Sequence, residues 1–162
     1  MLLYLRHGDD RGDDGYKHDR PLNDRGRKKT GKVAKRLIER HGHPDVVYVS
    51  PFRRALETLE AMSASFDREV MVHREPRIAQ HLSENQRRDP QLSPETRAQI
   101  TIEEDRRAFC QRVADHFDEV RRRSDSSIWC ITHQSVIEEV ADKLGVKIPA
   151  NLDFLDHVVM FR

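Results

Sequence analysis

Three short apolar runs, Leu2–Leu5, Val46–Val49 and Ile128–Ile131, constrain this chain more than any other feature. Each is too short to be a core helix and stops at polar or turn residues, which is how a strand buried on both faces reads. The stretches between them carry a helical period instead. Val33, Ala34, Leu37 and Ile38 form one stripe in a helix predicted from about Asp24 to His41, with Gly42 as its stop. Ala55, Leu59, Met62 and Phe66 form a second stripe, Phe109, Val113, Phe117 and Val120 a third, and Val136, Ile137, Val140, Ala141 and Leu144 a fourth that Gly145 closes. Ser50-Pro51 has the form of a helix start, with Ser as cap and Pro at the first helical position. Glu69 to His73 and His157 to Phe161 can supply two further strands. Strands alternating with helices predict an α/β three-layer sandwich, a mostly parallel central sheet with helices on both faces. Residues 74–103, with Pro76, Pro90 and Pro94 among many charges, read as an irregular insertion in one domain spanning 1–162.

Composition narrows the partners. Charged residues are 35% of the 162, yet the net charge is only +1, so no overall field exists to gather nucleic acid or an anionic membrane. Function has to come from local constellations. No apolar run approaches the ~20 residues of a membrane span, and MLLYLR is too short for a signal peptide. Cys110 and Cys130 lack metal-type or redox-type spacing and read as reduced thiols. A soluble, cytoplasmic protein with neither nucleic-acid nor membrane partners is the expectation.

Ligands of open α/β sheets bind beyond the carboxyl ends of the strands. The first strand delivers Arg6 and His7 there, the second Ser50 and a helix start carrying Arg53 and Arg54, and the strand at 128–131 delivers His133. Two imidazoles, at least two guanidiniums and a helix N-terminus suit a phosphoryl group. Guanidiniums match its oxygens in pairs, and free helix N–H groups point at anions. A neutral imidazole can take the phosphoryl group covalently and split one displacement into two. The acids Asp9, Asp10, Asp13 and Asp14 read as a solvated loop rather than a metal site, because Arg20 and Arg25 fall where further acidic ligands would be needed.

The residues in this order resemble a known family. Leu5-Arg6-His7-Gly8 is similar to the RHG signature of the histidine phosphatase (phosphoglycerate mutase-like) superfamily. The stretch from Ser50 to Thr58 resembles its second motif, SPxxRAxxT, and Thr132-His133 its third; Arg20-Pro21-Leu22 with Gly26 resembles its approach to the first helix, with Asn23 in place of Thr. The closest likeness is to the short phosphohistidine phosphatases. That resemblance implies His7 as the phosphoryl acceptor at a solvent-facing strand end, Arg6 and Arg54 as phosphate clamps and His133 as the second imidazole. Gly8, Gln134 and Arg53 join them as expected substrate contacts. No metal or cofactor is implied.

The chain also departs from the pattern. Gln80 stands where many members carry a catalytic Glu, and Gln134 follows His133 where another branch has Asp. Glu84 is therefore the candidate general acid, with Asp10 and Glu75 behind it. The function implied is a phosphatase acting on a phosphorylated small molecule or phosphoprotein through a phosphohistidine on His7. Phosphoglycerate mutase-type transfer and a catalytically weak phospho-ligand-binding relative are the alternatives.

Overall fold

The computed structural model describes residues 1–11, 19–82, 94–100, 104–123 and 125–161. Five strands, β1 (Leu2–Arg6), β2 (Val46–Val49), β3 (Met71–Arg74), β4 (Ile128–Thr132) and β5 (His157–Phe161), form one sheet in the order β3-β2-β4-β1-β5. All neighbours are parallel except β1 and β5. The helices are α1 (Asp24–His41), α2 (Arg53–Ser63), α3 (Pro94–Ile100), α4 (Arg106–Arg121) and α5 (Gln134–Leu144).

Strand alternation sorts the core into two halves. Leu3, Leu5, Val47, Val49, Trp129 and Ile131 face Ala34 and Leu37 of α1 and Ala55 and Met62 of α2. Leu2, Tyr4, Val46, Tyr48, Ile128 and Cys130 face Phe109, Val113 and Phe117 of α4 and Val136, Ile137 and Val140 of α5. A continuous apolar run is thus what a strand covered on both sides requires. β3 is the exception: Met71 and Val72 lie exposed on the sheet edge, and the strand starts two residues later than its alternation suggests.

Two further expectations need correction. The stretch 74–103 is not wholly irregular, since it holds a 3₁₀ turn at Pro76–Ile78 and the helix α3, which Thr96 Oγ1 fastens to the Pro51 carbonyl (3.2 Å). Ser50 is not the cap of α2. The helix begins at Arg53 after Phe52, which offers no side-chain cap, and Asp19 Oδ1 accepts from the Arg53 N–H instead (2.7 Å). A remote aspartate does the work of a local serine. Asn23 caps α1 by accepting from the Gly26 N–H (2.6 Å). At Gly26 a Cβ would collide with the backbone carbonyl oxygen of Asp9, so glycine there lets α1 approach the loop after β1.

His116 on α4 is fully buried, and neither ring nitrogen has a partner among the described residues. Burial pushes its pKa down to about 4. The unfolded imidazole, titrating near 6.5, then binds a proton that the folded one refuses, so stability falls as pH drops from 6.5 towards 4. At pH 5 this costs about 2 kcal/mol. The thermal stability of His116→Phe should exceed the wild type's by more at pH 5 than at pH 7. An unchanged gap between the two proteins would assign the acid sensitivity elsewhere.

Candidate active site

Strand register brings the site together. Leu5 pairs with Ile131 and Ile131 with Val49, so the next residues of β1, β4 and β2 emerge side by side. The His7 N–H donates to the Thr132 carbonyl and the Ser50 N–H to the Ile131 carbonyl, both at 3.0 Å. His7 and His133 meet edge to face with ring centroids 5.2 Å apart. Both are buried, so His7 does not sit at an open strand end as expected but inside the cleft.

The hydrogen bonds fix each imidazole's tautomer. His7 Nδ1 lies 2.8 Å from the Gly8 carbonyl and can only donate to it, which leaves a lone pair on Nε2. Arg54 Nε donates to that Nε2 at 3.1 Å. His133 Nδ1 faces Arg54 Nη2 (3.3 Å), a pure donor, so His133 Nε2 carries the proton and donates to Ser50 Oγ (2.7 Å). The motif serine orients the second imidazole rather than capping a helix. Burial, followed by the nearby Arg54 cation, pushes both imidazole pKa values well below the ordinary range. Both rings are therefore neutral at neutral pH.

Arg54 is the hub. Its Nη2 also donates to Gln80 Oε1 (2.7 Å), and its guanidinium lies over the Phe52 ring (4.6 Å). Asp10 Oδ2 approaches Arg54 Nε to 3.7 Å and Arg20 Nη2 to 3.9 Å. Thr58, the last residue of the second motif, ties it to the first. Its Oγ1 accepts from the Gly8 N–H (2.9 Å) and donates to the Arg54 carbonyl (2.7 Å). The Gly8 N–H, expected to contact substrate, is thus bonded to Thr58 in this structure.

Arg6 donates to the Leu152 carbonyl and to Gln134 Oε1 (3.1 Å), with its guanidinium 4.4 Å from the Phe154 ring centroid. Gln134 lines the cleft and donates onward to Glu138 (2.7 Å). Arg53 departs from expectation: it turns outward and bonds Glu57 (2.9 Å), itself held by the Leu22 N–H and Arg27. Glu75 is also elsewhere. Burial raises its pKa, but hydrogen bonds from Arg77 outweigh that and hold it below the ordinary value. Glu84 lies outside the described residues. Asp9 is closed on Arg11 (2.7 Å), and among the described residues no group of three acidic, His or Cys side chains is placed to hold a metal.

The cleft encloses about 280 Å³ between Arg6, His7, Gln80, His81, His133 and Gln134. Phe154 was missed in the sequence. It stands in the turn before β5 with its ring 5.7 Å from His7, and the turn is pinned by the Arg6 N–H on the Asp156 carbonyl (2.9 Å). An aromatic in a polar turn is the only local signal for it. The antiparallel return of β5 supplies the rest. Among the described residues no helix is long and apolar enough to cross a membrane.

Comparison with known proteins bears on the fold and the family. Several solved structures share the fold. The protein histidine phosphatase SixA complexed with tungstate is 20% identical with a TM-score of 0.66, covering 95% of this chain and 83% of its own. A mycobacterial glucosyl-3-phosphoglycerate phosphatase complexed with VO3 is 19% identical at 0.65, covering 96% and 88%. Entamoeba histolytica phosphoserine phosphatase with 3-phosphoglyceric acid is 18% identical at 0.57, covering 88% and 78%. No curated protein sequence matches the chain. The profile of the histidine phosphatase superfamily (branch 1) matches residues 2–153, nearly the whole sequence. The chain belongs to that superfamily.

Proposed function

We propose that this protein is a metal-independent phosphatase that passes a phosphoryl group through a phosphohistidine on His7, and that its preferred substrate is phosphohistidine in a protein. The observation that carries the reading is a neutral imidazole anchored at Nδ1, with its Nε2 lone pair facing the Arg54 guanidinium. When a phosphate enters, Arg54 can turn its N–H groups from the imidazoles to the phosphate oxygens, and Nε2 is left to attack. The Nε2–P bond forms as the P–N bond of the substrate breaks, and the leaving imidazole, already protonated on its other ring nitrogen, departs neutral with that electron pair. In the second step water attacks the phosphohistidine. Its proton goes to Nδ1 of neutral His133 and from there to solvent, and the electron pair of the breaking Nε2–P bond returns to His7. Arg6 and Arg54 spread their charge over the equatorial oxygens throughout.

Gln80 supports the choice of substrate. It bonds Arg54 through its amide oxygen and has no acidic proton to give a departing alkoxide. A phosphoramidate needs less protonation help, and SixA, which shares this fold, is a protein histidine phosphatase. The test compares a phosphohistidine peptide, p-nitrophenyl phosphate and alkyl phosphomonoesters, all in excess EDTA, with wild type and Glu84→Gln. The first two should turn over well and the alkyl esters poorly, with Glu84→Gln within a few-fold of wild type. A ~10²–10⁴-fold loss confined to alkyl esters would make Glu84 the general acid and an alkyl phosphate the substrate. Activity that requires added Mg²⁺, Mn²⁺ or Zn²⁺ would overturn metal independence.

A further inference from the structure

The cations of this chain are unevenly placed. Helix α1 holds eight of the 29 Lys and Arg residues against two acids, Asp24 and Glu39, a local charge of +6 in a chain of net +1. Arg27 is paired with Glu57 (2.6 Å) and Lys29 with Asp153 (3.7 Å). Arg25, Lys28, Lys32, Lys35, Arg36 and Arg40 are exposed and make no ion pair with any described residue. Lys28, Lys32, Arg36 and Arg40 follow one another at i, i+4, a spacing at which like charges destabilise a helix. Folding gains nothing from such a row. An anionic partner would.

Surface shape and the active site point to the same place. A shallow depression of about 400 Å³ is walled by Arg25, Lys28, Lys29 and Lys32 alone. Beside it a groove of about 320 Å³ runs between α1 and the turn before β5. Lys29, Arg36 and Arg40 line it together with apolar Val33, Leu37 and Phe154. Lys29 belongs to both hollows, and Phe154 to both the groove and the contact with His7 (5.7 Å). The basic ridge therefore starts at the rim of the catalytic cleft and extends about 22 Å along the helix.

We infer that this ridge and groove dock an acidic face of the phosphorylated protein whose phosphoryl group enters the cleft, with an apolar side chain of that partner in the groove. The inference rests on the phosphatase reading for the fate of the phosphoryl group, not for the docking itself. Charge complementarity favours carboxylates. α1 has no Phe, Tyr or Trp on which bases could stack. Among the described residues the exposed large apolar side chains, Met71, Val72, Val146 and Phe161, all lie off this helix, so it offers nothing to insert into a membrane.

The test uses the full chain and a labelled, unphosphorylated peptide of Glu and Asp with interspersed Leu, beside a version carrying Gln and Asn for the acids. Wild type should bind the acidic peptide alone, and more weakly as salt rises. Lys28→Glu/Lys32→Glu/Arg36→Glu should weaken that binding by ~10-fold or more while p-nitrophenyl phosphate turnover stays within two-fold. A phosphohistidine flanked by acids should show the same preference in kcat/KM over a neutrally flanked one, and the triple variant should lose it. Should the charge reversal fail to fold, the Gln triple variant at the same positions gives the same reading. Equal binding of both peptides, undiminished binding by the variant, or tighter binding of an oligonucleotide or of phosphatidylserine vesicles at equal salt would each overturn the proposal. If no phosphohistidine turns over but the acidic peptide still binds through α1, the substrate assignment fails and the docking surface stands.

Discussion

His7→Ala should abolish turnover on every substrate class, a loss on the order of 10⁴-fold or more, because the proposed covalent step has its acceptor at His7 Nε2 and leaves His133, the other neutral imidazole, to take the proton of water. The wild-type enzyme, quenched during turnover, should carry an acid-labile, base-stable phosphoryl group, and the variant should carry none. The fold should survive at some cost. His7 is only 5% exposed and packs against His133 and Phe154, so its removal leaves a small cavity worth about 1–3 kcal/mol. His7→Gln refills part of that space and serves as the control. It should recover stability and remain inactive. If either variant keeps wild-type turnover, the covalent mechanism is wrong.

The sequence showed the scaffold well because its strands are buried on both faces and its helices on one. Val46–Val49 and Ile128–Ile131 have no polar face to hide their role, and α5 is bounded by a left-handed Gly145. β3 was less clear, since an edge strand with exposed Met71 and Val72 need not alternate. His7, Arg6, Arg54 and His133 were readable because each lies at a strand end or in a helix's first turn, where local sequence fixes position. The connections between these segments were not readable. Ser50 looked like a cap from its neighbours alone, but its partner is His133, 83 residues away. Asp19 caps α2 across a gap of 34 residues. Arg53 and Arg54 are adjacent in sequence, and only the helical turn of about 100° between them decides which one faces the cleft.

That rotation separates the two arginines sharply. Arg54→Ala removes a donor that reaches His7 Nε2, His133 Nδ1 and Gln80 from one guanidinium. Losing one such transition-state donor costs ~3 kcal/mol, or roughly 10²–10³ in kcat/KM. Arg53→Ala removes only a bond to Glu57 on an exposed helix face and should cost no more than a few-fold. The pH profile supplies a second signature. Arg54 is the second cause, after burial, of the lowered pKa at both imidazoles. Without it, a proton binds His7 more readily, and protonated His7 has no lone pair for phosphorus. The acid limb of kcat/KM should therefore move to higher pH in Arg54→Ala and stay in place in Arg53→Ala. Arg54→Lys should restore part of the acid limb, because it returns a cation, but little of the rate, because one ammonium cannot span both imidazoles and the phosphate. Equal, mild losses in the two alanine variants would mean that Arg54 does not hold the phosphoryl group. An acid limb that stays fixed in Arg54→Ala would mean that burial alone keeps His7 neutral.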